Sequence, residues 1–106
     1  MNNQSDDVHN YKKLDKIIHS GVRLNIVTIL VQEEEANFNY LKSKIGASDG
    51  NLSLSLKKLI DFGYITERKT FFNRKPLTSY KLTGFGIESY QNYLQHLKEL
   101  IFSKNL

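Results

Sequence analysis

A change of hydrophobic period at Gly63 restricts this chain more than any other feature. Upstream, Leu52, Leu56, Leu59 and Ile60 recur at helical spacing and line one face of a helix with apolar side chains. Downstream, Tyr64-Ile65-Thr66-Glu67-Arg68-Lys69-Thr70-Phe71 alternates and is rich in β-branched and aromatic residues, as is Thr78-Ser79-Tyr80-Lys81-Leu82. Phe72-Asn73-Arg74-Lys75-Pro76-Leu77 lies between them with turn residues and two adjacent bases. Pro76 cannot donate to a central strand ladder, so it belongs in the loop or at an edge. The prediction is a helix stopped by Gly63, then a hairpin with a basic tip.

The preceding residues supply the rest of a small helical core. Leu14, Ile17 and Ile18 cluster before a break at Ser20-Gly21. Val22, Ile26, Ile29 and Leu30 follow at helical spacing, widened by Leu24, Val27 and Val31. This pattern predicts a short leading helix, then a mostly buried one with Ser20 as its N-cap. The acidic run Glu33-Glu34-Glu35 reads as a solvated corner, and Asn37-Phe38-Asn39 as a very short strand. Residues 40–45 read as a short helix capped by Asn39 and ended by Gly46, with Leu41 and Ile45 inward. Ser48 then starts the next helix, with Asp49 in its first turn, where exposed N–H groups favour negative charge. Two helices joined by so short a turn make a helix-turn-helix. Thr83 caps a last helix, from about Gly84 to Ser103. Its residues Ile87, Tyr90, Leu94, Leu97 and Ile101 form one apolar stripe, and Phe85, Tyr93 and Leu100 form a second.

The expected fold class is therefore mainly α with a small β-hairpin (α+β). Residues 1–13 are read as a flexible tail, 14–83 as the helix-turn-helix domain with its hairpin, and 84–106 as a dimerisation helix packed on that domain. At 106 residues, with 40% hydrophobic and 25% charged, the chain has the makeup of one globular domain. It has no cysteine, which excludes disulfide frameworks and thiolate metal sites and fits a cytoplasmic protein. No stretch approaches the roughly 20 apolar residues of a membrane helix, and the polar, acidic start is not a signal peptide. The net charge of +4 is unevenly spread. Residues 57–81 hold seven bases and two acids, a balance of +5, which leaves −1 for all the rest. The positive excess is thus concentrated in one contiguous block, as expected of a nucleic-acid footprint.

Helix, short strand, helix, turn, helix, basic hairpin and long terminal helix is the order of a winged helix-turn-helix. The chain resembles the small single-domain regulators akin to the MarR and ArsR families of repressors. The resemblance is carried by Ile18-His19-Ser20-Gly21-Val22-Arg23-Leu24, by Ser48-Asp49-Gly50-Asn51-Leu52-Ser53, by Leu56-Lys57-Lys58-Leu59 leading to Gly63-Tyr64-Ile65, and by Tyr80-Lys81-Leu82-Thr83 before Gly86. It covers nearly all of residues 14–101. Where relatives often carry a basic or polar pair after Ser53, this chain has Leu54-Ser55, and Gly21 replaces a common proline.

The expected partner is double-stranded DNA, with the recognition helix, about 48–62, in the major groove. Its outward positions are read as Asp49, Gly50, Asn51, Ser53, Leu54 and Ser55. Asn51 matches an adenine edge with two hydrogen bonds, and Ser53 suits a base or a phosphate. Leu54 either touches a thymine methyl or packs partly under the wing. Asp49 either accepts from a cytosine amino group or caps the helix. Ser48, Lys57 and Lys58 suit phosphates, which supply affinity rather than sequence information. Over the wing, about 71–77, Asn73, Arg74 and Lys75 reach backbone or the narrow minor groove. Arg68 and Lys69 lie along its stem, where alternation leaves one of them facing the duplex. Lys42 and Lys44 serve phosphate or solvent equally well.

A homodimer seam is expected from Tyr90, Tyr93, Leu94, Leu97, Leu100 and Ile101, helped by Leu14, Ile17 and Ile18. Two-fold pairing sets two recognition helices roughly 34 Å apart and calls for a pseudo-palindromic site. Enzyme chemistry is not expected: His9, His19 and His96 are scattered, and no nucleophile–base or carboxylate pair stands out. No cofactor is expected either. The alternatives are a winged helix used for protein contacts through Leu54 and the terminal-helix tyrosines, and a metal-responsive repressor using His96 and Glu99. Those two residues share a helix face without completing a site. An effector would have to sit between helices or in the dimer interface. Phe85, Tyr90 and Tyr93 are placed to line such a pocket or simply to fill the core.

Overall fold

The computed structural model describes residues 14–102, so the expected tail over 1–13 and the end of the last helix at Ser103 lie outside the described residues. Four helices and three strands follow in the order α1 (Gly21–Glu33), β1 (Ala36–Asn37), α2 (Phe38–Ile45), α3 (Asp49–Asp61), β2 (Ile65–Phe72), β3 (Lys75–Leu82) and α4 (Gly84–Phe102). The three strands form one antiparallel sheet in the order β1-β3-β2. α1 is the centre of the helical layer and packs against α2, α3 and α4. Its Ile26, Val27 and Leu30 are buried with Leu41 of α2, with Leu52, Leu56 and Leu59 of α3, and with Ile65, Tyr80 and Leu82 of the sheet.

The leading segment differs from expectation. Residues 14–20 turn instead of forming a helix. The Asp15 carboxylate accepts from the N–H groups of Ile17 and Ile18 at 2.8 and 3.1 Å, an Asx-type turn that competes with helical bonding. Its other oxygen accepts from the Tyr64 hydroxyl at 2.7 Å. Burial, and then the Asp15 carboxylate, hold that hydroxyl well above the ordinary tyrosine range, so it stays a donor. Ile18 is thereby sealed into the core at 0% exposure.

This burial corrects the expected dimer seam. Leu14, Ile18 and Tyr93 are each buried within one protomer and are not available to a partner. α4 turns Gly86, Ser89 and Tyr93 toward the domain, and the Tyr93 hydroxyl meets His19 Nδ1 at 2.7 Å. The Tyr90 hydroxyl lies 3.0 Å from Thr28 Oγ1, so both tyrosines tie α4 to the domain's own helices and turns. Ile17, Tyr90, Leu97 and Leu100 are partly buried against the same core. Leu94 and Ile101 remain exposed.

Two local starts also shift. Asn37, not Asn39, caps α2, accepting from the Tyr40 N–H at 2.8 Å, because the helix begins two residues earlier at Phe38. The wing loop is shorter than residues 72–77, since pairing continues outward to Phe72 and Lys75. Asn73 and Arg74 close the hairpin with φ of 53° and 68°, the signs a two-residue type I′ turn requires. Pro76 sits in β3 beyond the reach of β1, which pairs only with Ser79 and Tyr80, so the outer edge there is open.

Candidate nucleic-acid interface

α3 is anchored at its start by the Ser48 hydroxyl, which accepts from the Asn51 N–H at 3.1 Å. Such a cap contributes about 1 kcal/mol and fixes the direction in which the first turn leaves the chain. Gly46, at φ 78°, ends α2 in the left-handed conformation and lets the two helices meet across residues 46–48. The apolar stripe of α3 then faces the core, which leaves Asp49, Gly50, Asn51, Ser53, Leu54, Lys57 and Lys58 exposed.

Ser55 is a correction to the expected base-reading set. It is 5% exposed, because it falls between Leu52 and Leu59 on the helix and so shares their inward face. Leu54 stands at the opposite extreme, at 71% exposure, and does not pack under the wing. Asp49 pairs with Lys42 at 2.6 Å, and Lys57 with Asp61 at 3.0 Å. Both pairs are exposed, and such surface bridges are worth about 0–1 kcal/mol, so either base can be given up to a phosphate.

The register of the hairpin sorts its side chains onto two faces. Ile65, Glu67, Lys69 and Phe71 share one face with Tyr80 and Leu82, and this is the face α3 lies against. A cleft of about 380 Å³ there is lined by Ser53, Lys57 and Asp61 of α3 and by Glu67 and Tyr80 of the sheet. Lys69 therefore shares the α3 side. Arg68 points the other way, and its guanidinium reaches Glu35 at 2.7 Å. Glu35 also accepts from the Ser79 hydroxyl. The acidic run after α1 is accordingly not a mere solvated corner, since Glu35 ties the base of the wing to the helical layer. Nothing local could have signalled this, because Arg68 and Ser79 are 33 and 44 residues away.

The hydrogen bonds from Ser79 and Arg68 hold the Glu35 carboxyl below its ordinary value of 4.5. A carboxyl depressed in the folded state stabilises it above the unfolded value, and that contribution fades as pH falls through the folded one. The thermal midpoint of the protein should exceed that of Glu35→Gln at about pH 6, and the gap should close near pH 3. A gap that grows on acidification would refute the assignment of this carboxylate as the wing's anchor.

At the tip, Asn73, Arg74 and Lys75 are all exposed. Arg74 holds a left-handed conformation that costs a non-glycine residue roughly 1–2 kcal/mol. Phe71 and Phe72 flank the turn at 76% and 65% exposure, an apolar feature the sequence pattern had assigned only to strand and loop. Among the described residues, no three His, Cys, Asp or Glu side chains come together as a metal site, and Glu99 accepts from Gln95 at 3.2 Å. Tyr93 fills the core, so it lines no ligand pocket. An apolar cleft of about 370 Å³ lies instead between α1, β3 and the start of α4, among Leu30, Val31, Leu82 and Ile87. No helix among the described residues is long and apolar enough to cross a membrane.

Residues 22–101 match the sequence family described as winged helix DNA-binding domain. An uncharacterized protein of Methanocaldococcus jannaschii is 37% identical over 91 residues, spanning 86% of this chain and 97% of its own. In three dimensions the chain is similar to a transcriptional regulator homologue protein from Pyrococcus horikoshii OT3, with a TM-score of 0.79 and 26% identity across 95% of this chain and 96% of that one. A MarR-family transcriptional regulator from Silicibacter pomeroyi shares the fold at a TM-score of 0.64 and 16% identity, over 92% of this chain and 63% of its own.

Proposed function

The chain belongs to the winged helix DNA-binding domain family, and on that premise we propose that it is a sequence-specific transcriptional regulator gripping duplex DNA as a homodimer. The observation that carries this reading is the shared cleft, in which the exposed side of α3 and one face of the wing converge. α3 enters the major groove, with Asn51, Ser53 and Leu54 toward base edges and Asp49 released from Lys42. Ser48, Lys57, Lys58 and Lys69 take phosphates, while Asn73, Arg74 and Lys75 reach the backbone or minor groove. The left-handed Arg74 supports this role: glycine would take the same turn at lower cost but would bring no guanidinium to the tip. The named structural neighbours are transcriptional regulators, not enzymes.

The dimer reading rests on α4. Ile87, Leu94 and Ile101 are 45%, 44% and 56% exposed and recur every seventh residue, with Tyr90 and Leu97 between them. A stripe of that period suits the heptad seam of a paired helix. The apolar cleft beside Ile87 adjoins the seam, so a second copy would cover both.

Fluorescence anisotropy against a labelled mixed-sequence duplex, across a salt series, tests the proposal. With about six phosphates neutralised per dimer, log affinity should fall against log salt with a slope near −5. Absence of binding even at low salt would overturn it and leave a winged helix that serves protein contacts.

A further inference from the structure

We infer that Phe71 is an apolar minor-groove contact: its ring packs against the sugars and a base step next to the site that α3 occupies. The inference deepens the DNA-binding reading and rests on it. Phe71 is the most exposed large hydrophobic residue of the described chain, at 76%, and the fold makes no use of its ring. The hairpin register pairs it across the ladder with Pro76, so two apolar side chains form one pad. By alternation this pad stands on the α3 side of the wing, in line with Lys69 and Glu67. Phe72 pairs with Lys75 and stands on the reverse face, in line with Arg68.

Reach agrees with the placement. From Ile65, which is buried against the domain, six strand residues carry Phe71 outward by about 20 Å. The neighbouring minor groove lies about half a DNA turn, roughly 17 Å, from a recognition helix centred in the major groove. Charge agrees as well. Lys69 stands on the same face as the pad and Arg74 lies in the turn beyond it, while the minor groove offers apolar sugar walls between rows of phosphate. Apolar side chains in such a setting pack on sugars and part a base step.

Three variants separate this contact from general DNA affinity, each measured as full-length protein on the labelled mixed-sequence duplex in a salt series. Phe71→Ala should weaken binding about tenfold without changing the salt slope, because no ion pair is lost. Phe72→Ala should stay within about twofold of the parent, since its ring faces away from the duplex. Arg74→Gly should make the slope shallower by about 1.8 per dimer, at roughly 0.9 for each phosphate contact. Both rings are exposed, so thermal unfolding of the two Phe variants should match the parent, and Phe71→Leu should recover part of the affinity. Equal effects at Phe71 and Phe72, or none at Phe71, would overturn the inference while leaving DNA binding intact. Failure of the parent protein to bind duplex, including a preference for anionic phospholipid vesicles, would overturn both.

Discussion

Replacing Gly86 with alanine should destabilise the fold by about 3 kcal/mol, lowering the thermal midpoint by roughly 15 °C. A Cβ built on Gly86 would stand 2.1 Å from the carbonyl oxygen of Tyr64 and 3.0 Å from its carbon, so backbone must move. That carbonyl cannot yield freely, because it accepts from the Thr83 N–H at 3.0 Å and lies within reach of the Thr83 hydroxyl at 3.2 Å. The same hydroxyl accepts from the Gly86 N–H at 2.9 Å and so caps α4. Shifting Tyr64 would thus loosen the helix cap, the start of β2 and the Tyr64–Asp15 hydrogen bond together. Alanine gains about 1 kcal/mol of helix propensity over glycine, which is too little to offset the clash. Gly84 is the control: nothing lies within 4 Å of a Cβ there, and Gly84→Ala should leave the midpoint unchanged or slightly raised. Circular dichroism melts of the two variants decide the matter. A Gly86→Ala protein as stable as its parent would mean that helix and strand approach less closely than described.

Leu94→Glu should leave the protomer folded and convert the dimer to monomer, weakening self-association at least about 100-fold. Leu94 lies at the middle of the exposed stripe and is 44% exposed in the single chain, so a carboxylate there costs the protomer little. In a two-fold seam each substitution counts twice, and both charges would be driven into an apolar contact. Sedimentation equilibrium at micromolar concentration should give dimer for the parent and monomer for the variant. Because half the phosphate contacts are lost per binding unit, the salt slope should fall from near −5 to about −2.5. A variant that remains dimeric would move the seam away from Ile87, Leu94 and Ile101. A parent that is monomeric would remove the dimer from the proposal and leave the single-domain DNA contact to stand by itself.

Much of the interface was legible in the order of residues. The stop at Gly63, the cap at Ser48, the cap at Thr83 and the alternation on either side of Asn73-Arg74 are local events, each decided within a few residues. The helical stripe Leu52, Leu56, Leu59 needs only a 3.6-residue period to be recognised as buried. Ser55 escaped because a small polar residue carries no hydrophobic signal, although its spacing from Leu52 and Leu59 was available. The leading segment departs from its helical pattern because Asp15 satisfies two backbone N–H groups itself, and the hydroxyl that meets its other oxygen, Tyr64, is 49 residues distant.

Composition and period by themselves determined the winged helix order, the basic hairpin and the surplus of apolar surface on the last helix, because each depends on side-chain spacing along one element. Tertiary structure decided which surfaces remain free. It sent Leu14 and Ile18 into the core through the turn that Asp15 holds, and on α4 it buried Tyr93 while leaving Ile87, Leu94 and Ile101 outside. It also put Lys69 on the sheet face that α3 lies against, by the hairpin register, and brought Arg68 to Glu35 on the other. Two adjacent bases on one strand are equivalent until the sheet acquires a helix on one face and an acid on the other. The physical reason is the same in both cases: periodicity defines a face, but only packing against distant residues determines what that face meets.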